Sequence, residues 1–217
     1  MPALLPIVIA AAFGAVLGWW PLHRWTMRSL QAPEEVSSQG IRIATTVLTP
    51  ALFGLLVWRF GIGPDAVVLS ALLIFAAAAV VLAVVDVAEH RLPNVVVGPL
   101  LGVLAAALIL AAALSGQWPR LLWAFGGCAA MFAVYLLLAL VSPRSMGMGD
   151  VKLAAPIGLL LGWFGLTVWL SGLLAAFLCG GVVAVLMLAL RRTTMRGSLP
   201  FGPSMLLGAL LAVLIAG

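Results

Sequence analysis

Apolar runs of bilayer-crossing length dominate this chain, and only short polar connections separate them. Eight can be read: Ala3–Trp20, Ile43–Phe60, Ala66–Val85, Val95–Leu114, Leu121–Val141, Val151–Trp163, Thr167–Leu190 and Leu199–Ala216. A membrane helix needs about twenty such residues, because the hydrocarbon core is about 30 Å thick. Inside lipid the backbone has no water partner, so each run must close its hydrogen bonds within itself as a helix. The pattern predicts an all-α fold, a polytopic membrane helix bundle of about eight transmembrane helices. Residues 1–217 are expected to form a single integral membrane domain. Charged residues make up only 8% of the chain and hydrophobic residues 65%, against about 25% charged in soluble proteins. The longest polar stretch, about Pro21 to Arg42, is too short to carry a core of its own.

The sixth run is the least regular. It covers 13 residues, and Gly162 and Gly165 blur its junction with the seventh. Positive charge separates an eight-span reading from a seven-span one. With the N-terminus outside, the cytoplasmic loops hold Arg24, Arg28, Arg42, Arg91, Arg144, Lys152, Arg191, Arg192 and Arg196, nine of the eleven Lys and Arg residues. Only Arg59 and Arg120 fall on the other side. Merging the sixth and seventh runs would put Arg191–Arg196 opposite the rest, against the positive-inside rule. The expectation is therefore a multi-pass protein of the cytoplasmic (inner) membrane with both termini outside. The first run lacks a basic n-region and a small-residue cleavage site, so it reads as a span and not as a removed signal. The net charge of +5 then reports topology and contact with anionic lipid, with no nucleic acid implied. Trp19, Trp20, Trp25, Trp58, Trp118, Trp123 and Trp163 lie near run ends, as an interfacial belt would.

Acids are scarce. The chain has six: Glu34, Glu35, Asp65, Asp86, Glu89 and Asp150. Ionisable groups at membrane helix ends are costly and usually functional. Asp86 directly continues the third run. Asp150 closes Gly147-Met148-Gly149-Asp150, where a loop enters the sixth. On the topology above, both face the cytoplasm. Two neighbouring carboxylates split their titration, so that one can take a proton from water while the other polarises a scissile carbonyl. The resulting pKa values belong to the pair, and neither residue is assigned as the base. Asp86 and Asp150 are thus candidates for an acid/base pair that hydrolyses peptide bonds. Plainer readings stand beside this one. Asp86, Glu89, His90 and Arg91 could form a charged turn facing water, and Asp150 could cap a helix and complement its dipole.

Gly147 and Gly149 give the backbone freedom for unusual dihedrals and close approach. Leu199-Pro200-Phe201-Gly202-Pro203-Ser204 cannot be regular helix throughout. It reads either as a helix start with proline in the first turn or as backbone shaping a substrate cleft. Cys128 and Cys179 lie inside apolar runs with no Cys-x-x-Cys, and His23 and His90 sit in different loops. No metal site and no disulfide framework are predicted. Pro6, Pro50 and Pro156 read as kinks, and Tyr135 as helix packing.

Three stretches together resemble the type IV prepilin peptidase family, membrane aspartic proteases of the Gly-x-Gly-Asp type. Asp86-Val87-Ala88-Glu89-His90-Arg91-Leu92-Pro93-Asn94 is similar to its first catalytic segment. Gly147-Met148-Gly149-Asp150-Val151-Lys152-Leu153 is similar to its second, and Pro200-Phe201-Gly202-Pro203 to its C-terminal helix motif. The resemblance implies removal of the short basic leader of prepilins and pseudopilins at the cytoplasmic face, with Asp86 and Asp150 as the catalytic pair. It makes Glu89 and Lys152 neighbours that tune the site, and Gly147, Gly149, Pro93, Gly202 and Pro203 residues that shape it. Many members also carry a cytoplasmic domain with paired Cys-x-x-Cys motifs that bind zinc, and methylate the product with S-adenosylmethionine. The first loop here is short and has no cysteine. The resemblance therefore implies a short form without zinc, with methylation and its S-adenosylmethionine left open.

Two other classes remain open at this level. A transporter could use helix-end carboxylates as a proton or cation relay, although midplane acids and inverted repeats would be expected of it. A non-catalytic assembly subunit could use both acids as caps.

Overall fold

A computed structural model describes residues 4–31, 37–63, 65–142, 146–189 and 200–216, and among them every regular element is a helix. Ala3, Glu34, Glu35, Arg144, Leu190, Arg191, Arg192, Arg196 and Leu199, used in the reading above, lie outside the described residues. The chain divides into two compact units. The first holds α1 (Leu4–Leu17), a π-helical segment (Gly18–Leu22), α2 (His23–Ser29), α3 (Ser38–Phe60), α4 (Ala66–Glu89) and α5 (Asn94–Ser115). The second holds α6 (Trp118–Val141), α7 (Met148–Trp163), α8 (Leu166–Ala189) and α9 (Gly202–Ala216), together with His90–Leu92.

A helix occupies each of the eight apolar runs. Six stretches are long and apolar enough to cross a membrane: Leu4–Ser29, α3, α4, α5, α6 and α8. The chain is an integral membrane protein. The sixth run is a separate helix, α7, of 16 residues. It ends where Phe164 and Gly165 turn the chain, with Gly165 at φ +99°, a conformation that costs glycine least.

Several boundaries differ from the sequence reading. The first helical stretch does not stop at Trp20 but runs to Ser29, with Pro21 inside it. A proline within a helix lacks an N–H and crowds the carbonyl four residues back. The wider π-helical segment around Pro21 absorbs that crowding. Helix α4 likewise continues past Val85 to Glu89, which puts Asp86 in its last turn. Helix α9 starts at Gly202, so Pro200 and Phe201 precede it. Pro203 then sits in the first turn, where its missing N–H would have had no helical acceptor.

In the first unit α4 packs against α2, α3 and α5, and thirteen of its residues are buried. The π-helical segment crosses α3 at close range. A Cβ on Gly18 would collide with the Thr45 carbonyl, and buried Thr45 donates its hydroxyl to the Gly18 carbonyl at 2.8 Å. In the second unit α7 is the central helix, touched by α6, α8 and α9, with thirteen of its sixteen residues buried. A helix apolar on all sides belongs inside a bundle. Small residues make the approach possible, as is usual between membrane helices. A Cβ on Gly158 would collide with the Gly127 carbonyl and the Met131 Cβ, and one on Gly162 would come within 3.0 Å of the Ala124 Cα. Trp163, assigned above to the interfacial belt, is instead 2% exposed: it closes a helix that neighbours cover on every side. Trp19, Trp20, Trp58, Trp118 and Trp123 are exposed.

Candidate functional site

Both aspartates are buried. Asp86 is 4% exposed and Asp150 8%. Asp86 belongs to the first unit and Asp150 to the second. A water-facing turn does not describe Asp86, which lies among the core residues of α4. It does describe the end of the segment: His90 is exposed, and Glu89 and Arg91 are half-buried. His90 takes φ +52°, the left-handed conformation that commonly ends a helix and that glycine or asparagine usually supplies. Glu89, the last residue of α4, accepts the Gln31 backbone N–H at 2.6 Å. That bond ties the chain leaving α2 to the end of α4 within the first unit.

In the second unit, Gly147 is the extended residue preceding α7 (φ −77°, ψ 148°), and Asp150 is the third residue of the helix. One carboxylate oxygen, Oδ2, accepts the Gly147 N–H at 3.3 Å. Asp150 therefore does cap its helix. The bond is longer than the charge-assisted norm of about 2.7–2.9 Å, and a cap of this kind is ordinarily satisfied on an exposed surface. Capping alone is a weak reason to bury a carboxylate.

Gly149 explains the second glycine. A Cβ there would lie 3.1 Å from the Leu92 Cβ and 3.4 Å from the Leu92 nitrogen. Leu92 is itself buried, and it packs with the second unit although it follows α4. Gly149 thus lets the chain before Asp150 approach a residue of the loop that follows Asp86. Pro93 is buried and serves as the extended N-cap of α5, with its carbonyl accepting from Val96 and Val97. Lys152 is exposed, two residues beyond Asp150, and residues at that spacing do not share a helix face.

The C-terminal motif takes a different part from a bare helix start. Gly202 is buried, Pro203 half-buried, and Phe201 joins a three-ring cluster. Its ring centroid is 5.5 Å from Phe177 and 6.3 Å from Tyr135, and Tyr135 stacks on Phe177 at 5.9 Å. Gly180 faces Phe201 so closely that a Cβ would strike the ring. Tyr135 is 1% exposed and lies within electrostatic reach of Asp150. The sequence reading took Tyr135 for ordinary packing. Its one available signal was that it is the only tyrosine of the chain, placed inside an apolar run where a hydroxyl needs a reason. Leu92 gave no signal at all. Among the described residues no group of three or more His, Cys, Asp or Glu could hold a metal ion.

Residues 73–216, which contain both aspartates and the C-terminal motif, match the model of the Type IV leader peptidase family. The chain is 32% identical over 179 residues to the prepilin leader peptidase/N-methyltransferase of Pseudomonas aeruginosa, covering 80% of this chain and 57% of that protein. It is 31% identical over 204 residues to the protein of the same name from Xanthomonas campestris (88% and 66%), and 31% over 175 residues to that of Bacillus subtilis (79% and 64%). The chain thus spans between about half and two thirds of the length of these relatives. No solved structure matches. On the family match over most of its length, this chain belongs to the Type IV leader peptidase family.

Proposed function

We propose that this chain is a membrane aspartic endopeptidase that removes the short basic leader of type IV prepilin-like or pseudopilin-like proteins, with Asp86 and Asp150 as its acid/base pair. The observation that carries the reading is the burial of both carboxylates, 4% and 8% exposed, at the ends of two apolar helices. Of six acids in the chain, three stand in segments that resemble the family's catalytic segments, Asp86, Glu89 and Asp150, and of these Asp86 and Asp150 are buried. The Leu92–Gly149 contact supports it further, since it joins the loop after Asp86 to the residue before Asp150.

The chemistry follows from carboxylates alone. One aspartate, ionised, takes a proton from the attacking water. The other, protonated, donates to the scissile carbonyl oxygen; as the resulting gem-diol collapses it returns that proton to the second aspartate, and the first passes the proton it took from water to the leaving amine. No cofactor enters this step. The substrate is a membrane helix with a basic leader, so the cytoplasmic face of the bilayer would present its cleavage site at one depth. Holding peptide and acids in register there supplies much of the rate. A substrate whose cleavage site is moved several residues along its hydrophobic helix should be cut poorly.

Co-expression with candidate prepilins tests the proposal. Wild type should remove the leader, and Asp86→Asn and Asp150→Asn should each lose about 10²- to 10⁴-fold or more while remaining inserted in the membrane. Full cleavage by either variant would remove the pair. EDTA should leave the rate unchanged; inhibition would return a metal to the mechanism.

A further inference from the structure

A second site lies in the first unit, away from the chemistry. A cleft of about 630 Å³ opens along one side of α3, within the range of about 300–1,000 Å³ typical of ligand clefts. Its lining changes character along the helix. Ser38, Gln39 and Arg42 supply the end at the start of α3, and Ile43 and Val47 the stretch deeper into the span. These positions follow each other at three- and four-residue spacing, so they form one continuous stripe. Trp19, from the π-helical segment, makes the opposite wall. The Arg42 guanidinium lies over its ring, 5.3 Å from the centroid, so the cation and the indole line the cleft together. Thr46 also lines the cleft, and its hydroxyl oxygen is buried without a hydrogen-bond partner.

A cleft that is cationic and hydrogen-bonding at one end and apolar at the other matches one kind of ligand available in a bilayer. The polar end suits a phosphodiester: a guanidinium with the neighbouring hydroxyl and amide donors binds phosphate oxygens well. The apolar end suits an acyl chain lying along Ile43 and Val47. Trp19 and Arg42 are residue types that settle at the headgroup level. We infer that this cleft binds one anionic phospholipid, with its phosphate on Arg42 and an acyl chain between Trp19 and α3. Zwitterionic lipid carries an ammonium that would meet Arg42 with like charge, so the cleft should select phosphatidylglycerol over phosphatidylcholine. The site would fix the first helix to α3 at one depth in the membrane, independently of any activity at the aspartates.

The test uses the full chain, purified in detergent and titrated with short-chain phosphatidylglycerol or phosphatidylcholine. Bound lipid is counted by native mass spectrometry, and thermal unfolding is followed in parallel. Phosphatidylglycerol should bind saturably and raise the unfolding temperature, and phosphatidylcholine should do so at least about tenfold more weakly. Arg42→Gln should weaken phosphatidylglycerol binding about tenfold or more, as expected for loss of a charge-assisted contact. Arg42→Lys should recover part of it, and Arg120→Gln, on exposed α6 surface in the other unit, should bind like wild type. Equal binding of the two lipids, unchanged binding by Arg42→Gln, or equal loss in Arg120→Gln would overturn the inference. So would an equal thermal shift with inorganic phosphate, which would make the site an anion site without lipid specificity.

Discussion

Leu92 lies against Gly149 so closely that a single methyl group on the glycine would come within 3.1 Å of the leucine Cβ. Leu92 stands six positions after Asp86, and Gly149 one position before Asp150. Gly149→Ala should therefore push the loop and the start of α7 apart. The expected outcome is leader cleavage reduced at least about tenfold, since sub-ångström misplacement of catalytic groups is costly. The double variant Gly149→Ala/Leu92→Gly should recover much of the rate because it removes the Cβ that clashes. An unimpaired Gly149→Ala protein would show that the contact does not position the acid.

Capping and catalysis at Asp150 can be separated. Asparagine at this third helical position keeps a side-chain oxygen that can accept the Gly147 N–H, while alanine removes the acceptor. Asp150→Asn should stay close to wild type in unfolding, and Asp150→Ala should lose about 1 kcal/mol more, the net worth of the hydrogen bond to Gly147. Both should be inactive toward prepilin. If Asp150→Asn kept its activity, the carboxylate would be a cap and nothing else.

Tyr135 offers a similar separation. Tyr135→Phe keeps the ring that packs against Phe177 and Phe201 and removes only the hydroxyl, which lies within electrostatic reach of Asp150. It should fold normally and lose activity several-fold. Tyr135→Ala should open the cluster and cost about 3–5 kcal/mol of stability. Equal loss of stability in both variants would tie the hydroxyl to the fold and not to the acid.

The crossing of α6 and α7 rests on bare backbone. Gly158→Ala would place a methyl group against the Gly127 carbonyl and should cost about 1–3 kcal/mol. Gly126→Ala, one residue along α6 with nothing within 4 Å of its added Cβ, should be neutral or slightly stabilising, because alanine favours the helix. Unfolding in mixed micelles would measure both, and equal effects would contradict the crossing.

Much of this protein is legible in one dimension. Each apolar run became a helix, because a bilayer imposes the same local demand on every segment: bury no open amide and show lipid an apolar face. The two aspartate segments stood out because charge is so scarce in such a chain. Helix ends were less legible. Polar residues can continue a helix into the interface once lipid has nucleated it, so α2 and the last turn of α4 ran past the apolar runs.

Tertiary structure alone decided which side chains face inward. Beyond the Asp150–Lys152 end of α7, hydropathy could not distinguish α7, buried along that length, from α8, which leaves much of its surface outward, since both stretches are apolar. It could not show that Asp86 is buried and not water-facing, that Trp163 is enclosed, or that Phe201 and Tyr135 meet across 66 positions of sequence. In water, a polar face marks the outside of a helix. In lipid the inside and outside are equally apolar, so the pattern carries no such mark, and only the packing of small residues against backbone selects the faces that meet.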